Sequence, residues 1–577
     1  MSILKTACPL DCYDACSVIV SENGKLKGVK EHPFTQGFLC PFLNHYDKFK
    51  RIEKPTYNGL EITMDEALKK LSAILKKSDN TLHYRSHGNF GKMQAVTDQF
   101  FSQFGAALTE GSLCDAAGEE GILKGRGVNF AMSEEQIAKS ETVIFWGRNP
   151  KVTNSHILPF IKGKNIVVID PVETDFAKSA DLHIQIRPRE DIYLALLLSQ
   201  FVFKKDMQDN NFLEDKCTNL QSFQTLVNSL DRETIIEQID LSLETLNTLL
   251  SLVKGKKVAI LVGVGVQKYS FGADVLRAID SFAATLGLFG KEGCGVSYLG
   301  SSSEGLKNPF NVVKTEKESA STAAFEKYDT LFIQGANPLS QMPSSATVMQ
   351  KLSKVESIIY FGIYENESSR AANLVIPAKT FLEKDDIRTS YGHNYMLKMP
   401  KIEDSKVGIS EYDLANYLTQ EFNYEELKSE EFYIDCYEKQ SSDTIINDRE
   451  EIAYSQGFNT DERKFLLLDK IEVTDLKDDG YFLITSKTSK GLNSQFGHET
   501  KAFFPATSKV KVGQNILLKS RYGEAEFVAE IDEGLRDDCI LIYSGTPNVN
   551  FLTPDRADNT GKNAMYQELK VFISEIR

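Results

Sequence analysis

Three cysteines lie close together near the start of the chain, Cys8, Cys12 and Cys16 in the stretch CPLDCYDACS, and a fourth follows at Cys40. Their spacing is C-x3-C-x3-C-x23-C. Three close thiols and one remote thiol suit a cubane [4Fe–4S] cluster, which takes one thiolate on each iron. Two alternatives remain open: structural zinc, which usually takes cysteines in two short pairs, and a buried cysteine-rich loop without a metal.

The segment between Cys16 and Cys40 alternates apolar and polar residues, with a turn signal at Asn23 and Gly24. This pattern predicts a β-hairpin. Because a hairpin reverses the chain, we expect it to return Cys40 to the side of the cysteine loop.

Two stretches in the middle of the chain repeat one pattern: a buried strand, the sequence G-x-N-P, a helical stretch and a second buried strand. Gly147 and Asn149 in the first copy match Gly335 and Asn337 in the second, at an offset of 188. Glycine after a strand lets the backbone approach a phosphate, and a following helix offers unpaired N–H groups. Asp170, at the end of the next strand, can accept from a ribose hydroxyl or a guanine edge. The repeat predicts two βαβ halves that bind two nucleotide-like ligands.

A third glycine turn, in VAILVGVGVQKYSFG, contains Gly263 and Gln267 but lacks G-x-G-x-x-G, so a simple NAD fingerprint is not supported. The net charge of -15 argues against nucleic-acid binding. No apolar run reaches the roughly 18 residues of a membrane span. The first residues contain neither a twin arginine nor an apolar signal core. We therefore expect a cytoplasmic protein, unless a partner carries it elsewhere.

The four-cysteine motif, the paired G-x-N-P units and the later stretch LITSKTSKGLNSQF occur here in one order. Together they resemble the bis-molybdopterin-guanine-dinucleotide oxidoreductases, the relatives of dimethyl sulfoxide reductase, nitrate reductase and formate dehydrogenase. The resemblance implies molybdenum or tungsten held by two pterin dinucleotides. It also implies that Cys114, in GSLCDAAGEEG, is the protein ligand of this metal. We expect the Cys114 thiol to have a lowered pKa at a helix N-terminus. Asp115 is either a proton carrier or a helix N-cap.

The resemblance also implies a set of dinucleotide-binding residues. They are Gly147, Asn149, Asn154, Asp170, Thr174, Asp181 and Arg187 in one group, Gly263, Gln267, Gly335, Asn337 and Glu365 in another, and Thr485, Ser486, Asn493, Ser494 and Gln495 facing the pterins, with Asn559 and Lys562 closing over them.

Two residues depart from the family pattern. Phe42 occupies the position, two after Cys40, where family members often carry a lysine between cluster and pterin; Lys48 or Lys50 would have to reach in instead. Asp115 stands where formate dehydrogenases tend to have histidine, which argues against formate oxidation.

The strand and helix patterns predict a multidomain α/β protein. We expect a small β-rich cluster domain (1–58), a discontinuous α/β domain (59–135 and 326–470), a dinucleotide-binding-like α/β domain (136–325) and a C-terminal six-stranded β-barrel domain (471–577). The two α/β domains would be doubly wound and related by the internal repeat.

The predicted activity is two-electron transfer of an oxygen or sulfur atom, or of a hydride, on a small-molecule substrate. The cluster would relay electrons to an iron–sulfur subunit or a ferredoxin. The alternative function is a non-catalytic electron-transfer or scaffold subunit of a respiratory-type complex, which keeps the fold without an active metal.

Overall fold

The computed structural model of the chain describes residues 4–44, 46, 50–86, 91–300, 306–405, 407–446, 450–497 and 499–576. An antiparallel sheet comes first, with strands Leu4–Ala7, Ser17–Val20 and Leu26–Gly28. Its second and third strands form the predicted hairpin, with Gly24 in the turn at φ 76°. Pairing of the first two strands places Cys8 beside Cys16, whose carbonyl accepts a hydrogen bond from the Cys8 N–H at 2.8 Å.

A parallel sheet of five strands forms the first nucleotide-type unit. In spatial order its strands are Leu182–Ile184, Asn165–Ile169, Thr142–Trp146, Val258–Val262 and Gly295–Tyr298. Alternate residues of the central strand face opposite cores: Ile144 and Trp146 pack into one, and Val143 and Phe145 into the other. Both faces of the sheet are therefore covered, as a parallel sheet requires.

The helices that cover this sheet are Ala116–Arg126, Glu134–Ala138, Asp191–Lys204, Asn210–Lys216, Leu220–Asn228, Arg232–Ile239, Leu243–Val253 and Gly272–Thr285. The helix Asp191–Lys204 is buried along most of its length, which agrees with its nearly uniform apolar sequence.

The second parallel sheet is assembled from two separate parts of the chain. Its eight strands, in spatial order, are Lys317–Ser319, Ala107–Glu110, Thr81–Arg85, Thr330–Gln334, Ser357–Gly362, Leu374–Pro377, Thr56–Tyr57 and Leu60–Glu61. The last two strands run antiparallel to their neighbours. Helices Met64–Leu75, Val96–Phe104, Ser345–Leu352 and Glu411–Glu421 cover its faces.

The helix Met64–Leu75 shows how local sequence sets these elements. Thr63 accepts a hydrogen bond from the Glu66 N–H, and the Glu66 side chain accepts from the Thr63 N–H, which completes a capping box. Ala67, Leu71 and Leu75 recur at intervals of four and are buried against the sheet. The cap determines where the helix begins, and the apolar stripe determines which face packs.

Two segments pack differently from the predicted domain boundaries. The helix Ala116–Arg126 lies against Gly272–Thr285 of the five-stranded unit, because Arg126 is fully buried in an ion pair with Asp280. Tyr454 and Phe465 likewise enter the core of that unit, although 326–470 was expected to belong with the eight-stranded sheet. Long-range packing decides both assignments.

The last part of the chain forms a closed barrel of six strands, as predicted. Around the barrel they are Tyr481–Ile484, Cys539–Leu541, Lys501–Phe504, Glu524–Ile531, Asn515–Lys519 and Lys570–Ile576. No helix within the described residues is both long enough and apolar enough to cross a membrane.

A close approach of two turns makes Gly263 sensitive to substitution. A Cβ atom at Gly263 would lie 1.9 Å from the Gly147 carbonyl oxygen, whereas one at Gly265 would lie at an ordinary 3.6 Å from the same oxygen. We expect Gly263→Ala to cost about 1–3 kcal/mol of unfolding free energy, because the backbone must shift. Thermal melting of Gly263→Ala beside the matched Gly265→Ala variant checks this; equal melting temperatures would contradict it.

Candidate functional site

The turns after the central strands of the two parallel sheets open onto adjoining cavities. The larger cavity has a volume of about 730 Å³ and is lined by Gly147 and Asn149. The smaller cavity has a volume of about 330 Å³ and is lined by Gly335 and Asn337. The lining residues common to both cavities are Asp11, Ser86, Ala336, Gln341 and Asn493. Each copy of the internal repeat therefore faces its own half of one composite site.

The two G-x-N-P turns have equivalent geometry, which confirms the internal repeat. Gly147 has φ 59° and donates to the Ile169 carbonyl at 2.8 Å, and Gly335 has φ 57° and donates to the Phe361 carbonyl at 2.9 Å. The helix after each turn has only four residues, shorter than predicted. These turns therefore offer a ligand the exposed backbone of two glycines rather than the dipole of a long helix.

Asp170 and Thr174 line the larger cavity, as expected for dinucleotide-binding residues. The Asp170 carboxylate accepts from the Val172 N–H at 2.9 Å. Burial raises the pKa of Asp170 to about 7, and the neighbouring Asp191 carboxylate adds to the rise. Such a carboxyl group gains most from a partner with N–H donors, which agrees with the predicted contact to a guanine edge.

The raised pKa of Asp170 predicts a pH-dependent stability. A carboxyl group of this kind stabilises the fold fully below its unfolded-state pKa of about 3.9, and this contribution is lost as the pH rises through about 7. We expect Asp170→Asn to have the melting temperature of wild type at pH 4 and a melting temperature a few degrees higher than wild type at pH 8. Thermal melting across this range is the measurement, with Asp181→Asn as the control. An increase in melting temperature that is the same at every pH would contradict the raised pKa of Asp170.

Cys114 lies in the lining of the larger cavity, in a loop held from several sides. The Ser112 hydroxyl accepts from the Cys114 N–H at 2.8 Å and donates to the Asp115 carboxylate at 2.7 Å. Gln267 and Lys268 both donate to the Cys114 carbonyl at 2.5 Å. Asp115 occupies the N-cap position of the helix Ala116–Arg126 but makes no side-chain capping hydrogen bond.

The expectation of a lowered pKa at Cys114 is wrong. Burial raises the pKa of this thiol, and the ammonium groups of Lys268 and Lys487 offset only part of the rise. The carboxylates of Asp115 and Asp11 also act against the thiolate. Coordination to a metal would reverse this balance, because a coordinating thiol is deprotonated.

The C-terminal barrel contributes the predicted polar residues to both cavities. Thr485 and Ser486 line the larger cavity, and Ser494 and Gln495 line the smaller one. Asn493, at φ 53°, reaches both and donates to Asp11 at 3.1 Å. Ser494 also accepts from the Asn337 amide at 3.1 Å, which links the barrel to the second G-x-N-P turn.

Gly263 and Gln267 do not line either cavity, and the structure gives them supporting roles. Gly263 allows its turn to contact Gly147, as described above. Gln267 is fully buried and accepts from the Gly118 N–H at 2.9 Å while donating to Cys114. Both residues hold the cavity wall in place, and their contact with a ligand stays a prediction.

The remaining predicted binding residues also lie outside the two linings. Asn154 is buried beside Arg148, Asp181 accepts from the Ile166 N–H, Arg187 donates to the Gln238 carbonyl, Asn559 donates through its backbone to Ser270, and Lys562 pairs with Glu120. The Lys562 carbonyl accepts from the Ser112 N–H at 3.0 Å, so this loop does pack against the Cys114 loop.

The sequence reasoning missed Asp11, Lys268 and Tyr566, which all line the larger cavity. Lys268 is 7% exposed, and its ammonium lies 5.1 Å from the Tyr566 ring centroid. A lysine inside an apolar glycine-rich turn was a usable signal for Lys268. Nothing in the local sequence indicates that Tyr566 shares a cavity lining with Cys114.

The four N-terminal cysteines have free thiols. Cys8 and Cys16 are buried in one apolar cluster, and the partly buried Cys40 packs against it. Cys12 is also partly buried but lies outside this cluster. Burial raises the pKa of each thiol. For Cys8, Cys12 and Cys16 the charges of the other thiols raise the pKa further, so these sulfurs lie within electrostatic range of one another. Cations bound among them would offset this cost.

Within the described ranges no three Cys, His, Asp or Glu side chains are close enough to hold a single metal ion. A zinc ion needs all four ligands around one atom. A cubane cluster distributes its thiolates over four irons and therefore requires wider spacing. The cluster and zinc both stay predictions from the sequence.

Phe42 is uncharged, so it places no cation near the cavities. Its ring stacks on Phe496 with centroids 5.1 Å apart. Lys48, one of the two lysines considered as substitutes, lies outside the described residues. Lys50 lines the smaller cavity together with Glu365, and the two form an ion pair at 3.1 Å.

Two protein-family models match this chain. The molybdopterin oxidoreductase family model matches residues 59–408, and the molydopterin dinucleotide binding domain model matches residues 506–570. The probable oxidoreductase YyaE of Bacillus subtilis is 28% identical over 68% of this chain, and the match spans just under two thirds of that relative, 64%.

Two further proteins match along nearly their whole length. The F420-dependent formate dehydrogenase subunit alpha of Methanocaldococcus jannaschii is 22% identical, covering 100% of this chain and 99% of the relative. The solved structure of acetylene hydratase from Pelobacter acetylenicus superposes with a TM-score of 0.81 at 14% identity, covering 99% of both chains, which shows a shared fold.

Proposed function

Since the chain belongs to the molybdopterin oxidoreductase family, we propose that it is a molybdenum or tungsten oxidoreductase with a bis-molybdopterin-guanine-dinucleotide cofactor in its two cavities. Cys114 would be the protein ligand of the metal. Cys8, Cys12, Cys16 and Cys40 would hold a [4Fe–4S] cluster beside it.

One observation carries this proposal: two equivalent glycine turns open onto two adjoining cavities, and the Cys114 loop borders the larger of them. A Cβ atom at Gly147 would lie 2.5 Å from the Val266 side chain, so the tight turn that exposes backbone to the cavity needs glycine. Two dinucleotides need two such turns, and a metal shared between them needs one ligand near their junction.

The residues around Cys114 would orient and activate it. Lys268 donates to the carbonyls of Leu113 and Cys114 at 2.9 Å and 2.5 Å and holds its ammonium near the sulfur. Burial lowers the pKa of Lys268, while the Cys114 charge counteracts this. Asp115, which lines the larger cavity, is the proposed proton carrier. When bound, the cofactor supplies a metal that changes oxidation level by two electrons.

The proposed substrate is a small molecule. The ammonium groups of Lys268 and Lys487 favour negative charge at Cys114, and the carboxylates of Asp115 and Asp11 oppose it. The Methanocaldococcus relative is titled a formate dehydrogenase, which places formate among the substrates to assay despite Asp115 at the position of a histidine.

We also propose an electron-transfer partner. The same relative is titled a subunit alpha, and a chain with one cluster must pass electrons onward. An iron–sulfur subunit or a ferredoxin suits this role, in the cytoplasm.

Elemental analysis of anaerobically purified protein tests the proposal. Molybdenum or tungsten, iron, zinc, acid-labile sulfide and released guanine nucleotide are measured together, with paramagnetic resonance of the reduced protein. We expect metal, pterin nucleotide, iron and sulfide in one preparation, followed by turnover with formate, nitrate or a sulfur compound. Iron without molybdenum or tungsten would support the scaffold alternative, and a colourless protein containing zinc alone would overturn the cluster.

A further inference from the structure

Arg148 stands between the cysteine loop and the larger cavity. It follows Gly147 in the first G-x-N-P turn and is only 2% exposed. Its guanidinium carbon lies 4.6 Å from the ring centroid of Tyr13, which comes between Cys12 and Cys16 in the chain. One buried cation thus lies against the loop that carries three of the four cysteines.

The charge on Arg148 is poorly compensated by the described residues. Both terminal guanidinium nitrogens are buried with no partner at hydrogen-bond distance, and Nε makes only a long contact of 3.4 Å with the side-chain amide oxygen of Asn154. The Asp14 carboxylate and the Tyr13 hydroxyl are both within electrostatic range of Arg148, and one of the two Asp14 oxygens is also bonded to His156 at 2.6 Å. Burial accordingly lowers the pKa of Arg148. A buried charge without a partner is strongly unfavourable, so it persists where something else offsets it.

The turn that carries Arg148 touches both sites. Asn149, Lys151 and Thr153 line the larger cavity. On its other side the Thr153 carbonyl accepts from the Cys12 thiol at 3.9 Å, and the His156 ring nitrogens lie 3.8–3.9 Å from the Cys16 sulfur. The residues 147–156 therefore form a short connection between the cysteine loop and the larger cavity.

We propose that Arg148 is the electrostatic partner of an iron–sulfur cluster at Cys8, Cys12, Cys16 and Cys40 and raises the reduction potential of that cluster. Four thiolates leave such a cluster with net negative charge, and reduction adds one more electron. A fixed cation across the Tyr13 ring stabilises the reduced state more than the oxidised state, since attraction grows with the added charge. Phe42 supplies no charge. Arg148 is one of two buried arginines at this loop; the other, Arg388, donates to the carbonyls of Leu10 and Cys12.

The inference rests on the proposed function, because it requires the cluster. Redox titration monitored by paramagnetic resonance is done on the anaerobic wild type, Arg148→Gln, Arg148→Lys and a control, Arg277→Gln. Arg277 is another arginine that is 2% exposed, remote from the cysteine loop and bonded to the Leu467 carbonyl. It reports the general effect of removing a buried guanidinium.

In Arg148→Gln we expect the equilibrium between reduced and oxidised cluster to shift at least tenfold toward the oxidised form. For a one-electron couple this shift lowers the reduction potential by about 59 mV. Arg148→Lys should recover at least half of this shift, and Arg277→Gln should match wild type. An unchanged potential in Arg148→Gln would overturn the inference.

Iron and sulfide content separates the remaining outcomes. If Arg148→Gln loses the cluster while Arg148→Lys retains it, the charge is required and the inference stands. If both variants lose it equally while Arg277→Gln retains it, the side-chain shape rather than the charge matters, and the inference fails. A wild-type protein without iron or sulfide would instead refute the proposed cluster itself.

Discussion

Cys114→Ala is expected to reduce turnover by more than about 100-fold while leaving the iron–sulfur signal intact. Loss of a group that only supports a metal ligand typically costs about 10–100-fold, so loss of the ligand itself should cost more. The thiol belongs to a loop held by Ser112, Gln267 and Lys268, and these contacts involve backbone atoms that alanine retains. Fold and cluster should therefore survive the change.

The control for this variant is Cys294→Ala. Cys294 is also a partly exposed free cysteine of the chain but lines neither cavity. Turnover, molybdenum or tungsten content and the paramagnetic signal are measured on both proteins. If Cys114→Ala keeps full turnover, Cys114 is not the metal ligand; if it loses turnover together with the cluster signal, the residue supports the fold.

Cys16→Ala is expected to remove most of the iron and acid-labile sulfide from the purified protein. One iron of a cubane would lack its thiolate, and the remaining three cysteines would have to hold the cluster alone. Cys16 is 5% exposed, and its carbonyl accepts from the Cys8 N–H, a contact that alanine keeps. The loss should thus report the missing sulfur rather than a collapsed loop.

Cys217→Ala is the matched control for Cys16. Both thiols are buried, and burial raises the pKa of Cys217 to about 12, but no other thiol acts on it. Iron, sulfide and visible absorption are compared between the two variants. Wild-type iron and sulfide in Cys16→Ala would exclude a four-cysteine cluster at this loop.

Local patterns in the sequence are sufficient for most of the elements, though not for how they group into domains. Alternating and continuous apolar runs indicate the strands, and the two G-x-N-P units indicate the internal repeat. The structure confirms the parallel sheets, the hairpin after Cys16 and the closed six-stranded barrel. These features depend on side-chain periodicity and turn residues, which act over a few neighbouring positions.

One expectation, the lowered pKa of Cys114, failed because of burial. Cys114 precedes a helix, so its neighbours in sequence suggested a lowered pKa, yet desolvation by the assembled loops raises the pKa of this thiol. Asp181 and Lys562 match the family pattern and are not buried; their side chains contact the Ile166 N–H and Glu120, and their binding roles stay predictions. Solvent exclusion depends on residues that are far away in the chain.

The class of chemistry can be predicted from the sequence alone. It follows from four cysteines at a cluster-like spacing, two glycine turns at equivalent positions and one cysteine at the position of a metal ligand. Only the tertiary structure decided that Lys268 and Tyr566 reach the lining that contains Cys114, and that Arg148 lies against Tyr13. The physical reason is the range of the interactions. Spacing and periodicity are local properties, whereas charge compensation and cavity shape arise only when separate segments pack together and exclude water.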